Sequence, residues 1–95
     1  MTNVVVTGAS RGIGLATALV LGRAGHTVYA TMRNPDGAPE LVRKAAAENL
    51  SIKISAMDVD SDSSVQSGFE QIVKDAGHID ALVNNAGIER NGSTE

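Results

Sequence analysis

Residues 4–14 read VVVTGASRGIG: three β-branched residues and a threonine, then three glycines within seven positions. Short runs that are β-branched and apolar on both faces suit a strand covered from two sides. Residues 12–24 follow with Ile13, Ala16, Leu19, Val20 and Leu21 at helical spacing, and Gly25 is placed to stop that helix. A glycine-rich turn between a strand and a helix puts backbone N–H groups, and the positive end of the helix dipole, where an anion can approach. Gly8 permits the tight turn, Gly12 removes a side chain from the approach, and Gly14 lets the helix pack close to the sheet.

The same alternation continues. Residues 27–31 (TVYAT) predict a second strand and Asn34–Gly37 a turn. Pro39 suits the first turn of a helix reaching to about Asn49, and residues 52–57 (IKISAM) predict a strand nearer an edge. Ser61 or Asp62 can cap a third helix whose apolar face is Val65, Phe69, Ile72 and Val73, with Gly77 at its end. Residues 79–84 (IDALVN) predict a fourth strand. Repeated strand–helix units of this length predict an α/β fold with right-handed crossovers and a parallel sheet of order 3-2-1-4, the N-terminal part of a doubly wound Rossmann fold. The first two helices should cover one face and the third stand almost alone on the other.

Composition narrows the function. The chain has 95 residues, no cysteine, two aromatic residues (Tyr29 and Phe69) and a net charge of −3. Its core must come from Val, Ile, Leu and Ala, and neither a basic run nor a Lys/Arg-rich helix face points to nucleic acid or a membrane surface. No apolar run approaches the ~18 residues of a membrane span, and the expected location is cytoplasmic.

The glycine spacing is G-x-x-x-G-x-G. TGASRGIG at 7–14, Asp58-Val59 after the third strand and NNAG at 84–87 after the fourth occur in the order and intervals of one family. The whole chain resembles the N-terminal cofactor-binding portion of the classical short-chain dehydrogenases/reductases. The resemblance implies that Gly8, Ser10, Arg11, Gly12, Ile13 and Gly14 form a phosphate turn. Thr7 is implied to hydrogen-bond the segment around Asn85. Asp58 is implied to accept from an adenine amino group with the Val59 backbone beside it, and Asn84, Asn85, Ala86 and Gly87 to line the cleft near the ribose. For Asp58 a turn or helix-leading role is the competing expectation, since Asp60 and Asp62 share its loop.

The cofactor choice turns on charge. An acid at the end of the second strand holds ribose hydroxyls, whereas arginine welcomes a 2′-phosphate. Met32 stands where NAD-selective members of the family usually carry aspartate, Arg33 follows it, and Arg11 precedes Gly12. Two guanidinium groups converging on one phosphate favour NADP(H), with NAD(H) as the alternative and Asp36 as the residue that could serve it.

The family's Tyr-x-x-x-Lys pair, which supplies the proton for hydride transfer to a carbonyl, has no counterpart. The single tyrosine, Tyr29, lies in the second strand and Arg33 cannot sit beside it on a strand as it would over a helical turn. His26 and His78 lack metal-ligand spacing. Gly92-Ser93-Thr94-Glu95 reads as the start of a helix, so residues 1–95 are expected to form an incomplete NAD(P)-binding domain, with the fourth strand as an uncovered edge and the catalytic helices elsewhere. The full-length form is expected to be a homo-oligomer acting on an alcohol or carbonyl substrate. The alternative is a truncated, non-catalytic remnant that binds nucleotide or a partner. A nucleotide-sugar epimerase, a further option on the same fold, has a G-x-x-G-x-x-G turn that this chain lacks.

Overall fold

The computed structural model describes residues 2–10 and 12–85, in which strands and helices alternate along the chain. Strands β1 (Asn3–Thr7), β2 (Thr27–Met32), β3 (Ile52–Ala56) and β4 (Ala81–Val83) form one parallel sheet in the order β3-β2-β1-β4. Between them run helices α1 (Gly12–Arg23), α2 (Pro39–Ala47) and α3 (Asp62–Ala76), with a short 3-10 turn at Pro35–Gly37. The expected order 3-2-1-4 is the observed one.

Strand period two divides the core. Val4, Val6, Val28, Ala30 and Met32 face α1 and α2 and pack with Ala18, Leu19 and Leu41. Val5 and Tyr29 face the other way, onto Ile72 of α3 and Met57, with Val65 and Phe69 at the margin. Two helices therefore cover one face and a single helix the other. Leu41 and Val5 are fully buried, each such side chain contributing about 1.5–3 kcal/mol relative to exposure.

Element boundaries follow from local chemistry. Pro39 opens α2, where its missing N–H costs nothing, and Asn49 beyond its end adopts φ 55°, a left-handed conformation that asparagine tolerates. Ser61, rather than Asp62, caps α3 by accepting from the Ser64 N–H at 3.3 Å. Gly77 ends that helix at φ 90°, donating to the Val73 carbonyl. The fourth strand is shorter than residues 79–84: its ladder with β1 covers Ala81 to Val83. Before it, Asp80 holds both backbone groups of Asn3, accepting from its N–H at 2.7 Å and donating to its carbonyl at 2.9 Å.

The apolar stripe expected on α1 packs only in part, through Leu19 and Leu21. Ile13 and Val20 are 63% and 60% exposed, whereas Gly14, Ala18, Leu19 and Gly22 are buried. The helix lies too close to the sheet for bulky residues. A Cβ on Gly14 would stand 2.0 Å from the Gly8 carbonyl oxygen, and one on Gly22 would stand 2.9 Å from the Ile52 Cδ1. Small residues at four-residue intervals make this approach possible. Val73 is likewise 43% exposed and lies at the rim of the α3 face instead of in its core.

Candidate functional site

In an open parallel sheet, ligands gather where the strand order reverses, beyond the C-terminal strand ends. Here that point lies between β1 and β4, and the loops following all four strands carry the residues singled out from sequence. The turn after β1 has positive φ at two glycines, 63° at Gly8 and 61° at Gly12, a left-handed conformation that glycine adopts without strain. Between them, buried Ala9 donates its N–H to the Thr31 carbonyl at 3.1 Å, fastening the turn to the end of β2. Ser10 is half-buried in the same turn, and Arg11 lies outside the described residues.

The turn leads straight into α1. Gly12 and Ile13 at its first positions are exposed, and the first turn carries no acidic side chain. The unpaired N–H groups and positive dipole end of this helix thus meet no competing carboxylate from the helix itself. That donor set fits the diphosphate of a dinucleotide.

The two asparagines of NNAG clasp the end of β1. Thr7 donates from Oγ1 to Asn84 Oδ1 at 3.1 Å, and its oxygen also lies 3.4 Å from the Val83 carbonyl. Asn85 is 1% exposed and donates from Nδ2 to the Gly8 carbonyl at 3.2 Å. The tie between first and fourth strands is therefore shared: the threonine meets Asn84, and Asn85 reaches the glycine turn. Ala86 and Gly87 lie outside the described residues.

Arg33 and Asp58 meet across neighbouring loops. Arg33, with its side chain 72% exposed, donates from Nη2 to Asp60 Oδ2 at 2.9 Å, and its Nε stands 3.6 Å from Asp58 Oδ1. The guanidinium expected to await a phosphate is already facing two carboxylates. Asp58 Oδ1 also accepts the Asp60 N–H at 3.0 Å, and the Asp58 N–H donates to Ser64 Oγ at 2.9 Å. Asp58 thus makes the turn contacts of the competing expectation. Val59 is half-buried beside it. Met32 is a core residue at 3% exposure, and Asp36 is an exposed member of the short turn, its N–H donating to Asn34 Oδ1 at 3.1 Å. Asp60, singled out from sequence only as a neighbour of Asp58, is the residue that pairs with Arg33. Its signal was the crowding of acids in one loop opposite an arginine-bearing strand end.

Tyr29 is buried and belongs to the α3 face. Its hydroxyl donates to Asp75 Oδ2 at 2.8 Å, and Lys53 Nζ reaches the same oxygen at 2.8 Å while standing 5.6 Å from the ring centroid. Burial first, then the bond to Asp75, pushes the phenol above its ordinary value. A phenol so engaged is poorly suited to donating a proton near pH 7. His78 pairs with Asp80 at 3.1 Å. No group of three metal-ligating side chains occurs among the described residues, and none of their helices is long and apolar enough to cross a membrane.

The sequence profile described as short chain dehydrogenase matches residues 2–95. Among curated proteins, the chain is 37% identical over 93 residues to a 3-ketodihydrosphingosine reductase of Bacteroides thetaiotaomicron, covering 97% of this chain and 30% of the relative. It is 41% identical over 91 residues to gluconate 5-dehydrogenase of Gluconobacter oxydans, covering 96% and 36%. A metagenomic short-chain oxidoreductase solved in complex with NADP superposes with TM-score 0.80 at 31% identity, covering 85% of this chain and 37% of that one. The chain spans about a third of the length of these relatives. A Rossmann-type sheet, a glycine turn at its reversal point and a family match along the chain agree: this chain belongs to the short-chain dehydrogenase/reductase family of oxidoreductases.

Proposed function

We propose that this chain is the nucleotide-binding part of an NADP(H)-dependent oxidoreductase acting on a small alcohol or carbonyl compound. The observation that carries the reading is the turn from Gly8 to Gly12, with two positive-φ glycines opening onto the acid-free first turn of α1. The N–H groups there bind and orient the diphosphate, and Asn84 and Asn85 line the ribose side of the same cleft. When bound, the cofactor supplies the chemistry by accepting or donating a hydride at its nicotinamide. The preference for the 2′-phosphate is supported by Arg33 at the end of β2, by a buried Met32 where an acid would hold ribose hydroxyls, and by the NADP bound to a related oxidoreductase.

The proton donor belongs outside these 95 residues, since the single tyrosine is committed to Asp75. For the 95 residues taken alone, that engagement favours the second reading, a nucleotide binder without catalysis. The full-length protein is proposed to be a cytoplasmic homo-oligomer. Titration with NADPH and NADH, followed by cofactor fluorescence, tests the cofactor assignment. NADPH should bind at least about tenfold more tightly, one charge-assisted contact of about 1.4 kcal/mol or more, and Arg33→Ala should remove that preference. Equal affinities that Arg33→Ala leaves unchanged would refute it.

A further inference from the structure

We infer that Asp60 sets how strongly this chain prefers a 2′-phosphorylated adenosine, by competing with the phosphate for Arg33. The inference rests on the reading of Arg33 as a phosphate-holding group and adds the residue that opposes it.

Three observations carry it. The first is juxtaposition: Met57 donates its N–H to the Met32 carbonyl at 2.8 Å, extending the β2–β3 pairing to the residue before Arg33 and the one before Asp58. The loops bearing Arg33 and Asp58–Asp60 are thereby held side by side, next to the glycine turn that Ala9 fastens to Thr31. The second is the ion pair itself, 2.9 Å from Arg33 Nη2 to Asp60 Oδ2, with Asp58 Oδ1 at 3.6 Å from Nε. One guanidinium facing two carboxylates leaves the group with a net negative charge. The third is exposure: the Arg33 and Asp60 side chains are 72% and 38% exposed. An exposed pair is weak enough to exchange partners.

A phosphate monoester carries nearly two negative charges at neutral pH. To reach Arg33 it must displace the Asp60 carboxylate and then stand beside it. A plain ribose brings no charge and meets no such opposition. Asp60 therefore handicaps the phosphorylated ligand selectively. Arg33 is held in place by its pairing, but its charge is not freely available.

Asp60→Asn removes the charge and keeps the backbone N–H that Asp58 Oδ1 accepts. The test is calorimetric titration of the chain with 2′,5′-ADP and with 5′-AMP. Asp60→Asn should tighten 2′,5′-ADP by about three- to tenfold at about 50 mM salt and leave 5′-AMP within about twofold. At about 0.5 M salt the gain should fall below about twofold. Asp60→Ala should reproduce the gain, while Asp62→Asn, which removes an exposed acid from the first turn of α3, should give less than half of it. An unchanged ratio with both fragments binding, or an equal gain from Asp62→Asn, overturns this inference and leaves the nucleotide site standing. If neither fragment binds the unaltered chain, the nucleotide-site reading falls and this inference falls with it.

Discussion

Asn85 donates from Nδ2 to the carbonyl of Gly8 at 3.2 Å, joining residues 77 positions apart in the chain. The contact lies at the reversal point of the sheet, and the same amide nitrogen is 2.6 Å from where a Cβ on Gly14 would be. One buried side chain thus holds the first glycine of the turn and bounds the space of the third. Packing between α1, the turn and the segment after β4 is set by this contact.

Asn85→Ala should cost about 1–3 kcal/mol of stability, because it removes a buried bond and strips the Gly8 carbonyl of this donor. Urea denaturation of the variant checks the value. A change below about 0.5 kcal/mol would mean that the carbonyl finds another donor at no loss.

Gly14→Ala and Gly68→Ala form a contrast. At Gly14 the new methyl would meet the Gly8 carbonyl oxygen at 2.0 Å, a backbone atom that cannot yield without opening the turn. The expected cost is about 3 kcal/mol or more, and Asn85→Ala should not rescue it. At Gly68 the nearest atom is the Met57 Cε at 2.6 Å, the free end of a flexible side chain. Better helix propensity offsets that adjustment, so Gly68→Ala should lie within about 1 kcal/mol of the parent. Thermal unfolding of the two variants side by side distinguishes them.

The cluster of Tyr29, Lys53 and Asp75 predicts a stability profile that falls at both ends of the pH scale. Lys53 first, then Tyr29, holds the Asp75 carboxyl below its ordinary 3.8, so its contribution is present above that value and is lost as pH falls through the lower folded value. The bond to Asp75 raises Lys53 from 10.5, and burial, followed by that bond, raises Tyr29 from 10.0. Both contributions are present below those values and are lost as pH rises through the raised ones. Asp75→Asn should reduce the alkaline fall by the part that the bonds to Asp75 contribute, leaving the part due to the burial of Tyr29. It should likewise only reduce the acid one, since Asp80 and Glu48 are also held low, chiefly by the Asn3 N–H and by Arg23 respectively. Denaturant midpoints measured from about pH 3 to 11 check this, and an alkaline limb unaltered by Asp75→Asn would contradict it.

Sequence carried the fold well where periodicity and caps agreed. The β-branched runs, Pro39, Ser61 and Gly77 each stand where local chemistry predicts. It misled in part at α1, because Ile13 and Val20 look like a core stripe while Gly14, Ala18 and Gly22 make the contact. Hydrophobicity does not announce close packing through small residues. At the candidate site the glycine turn was legible because its backbone role is local, and the asparagines because the NNAG motif marks them, although their contacts with Thr7 and Gly8 span 77 positions. The pairing of Arg33 with Asp60 was not legible, since it depends on two loops brought together by the β2–β3 ladder.

The most direct test of the central claim is amide-resolved NMR of the chain titrated with NADPH. Saturable shifts confined to Gly8–Leu15, Arg33, Asp58–Asp60 and Asn84–Asn85 are the predicted result. Absence of binding, or shifts centred on the outer face of α3 around Phe69 and Val73, would contradict it.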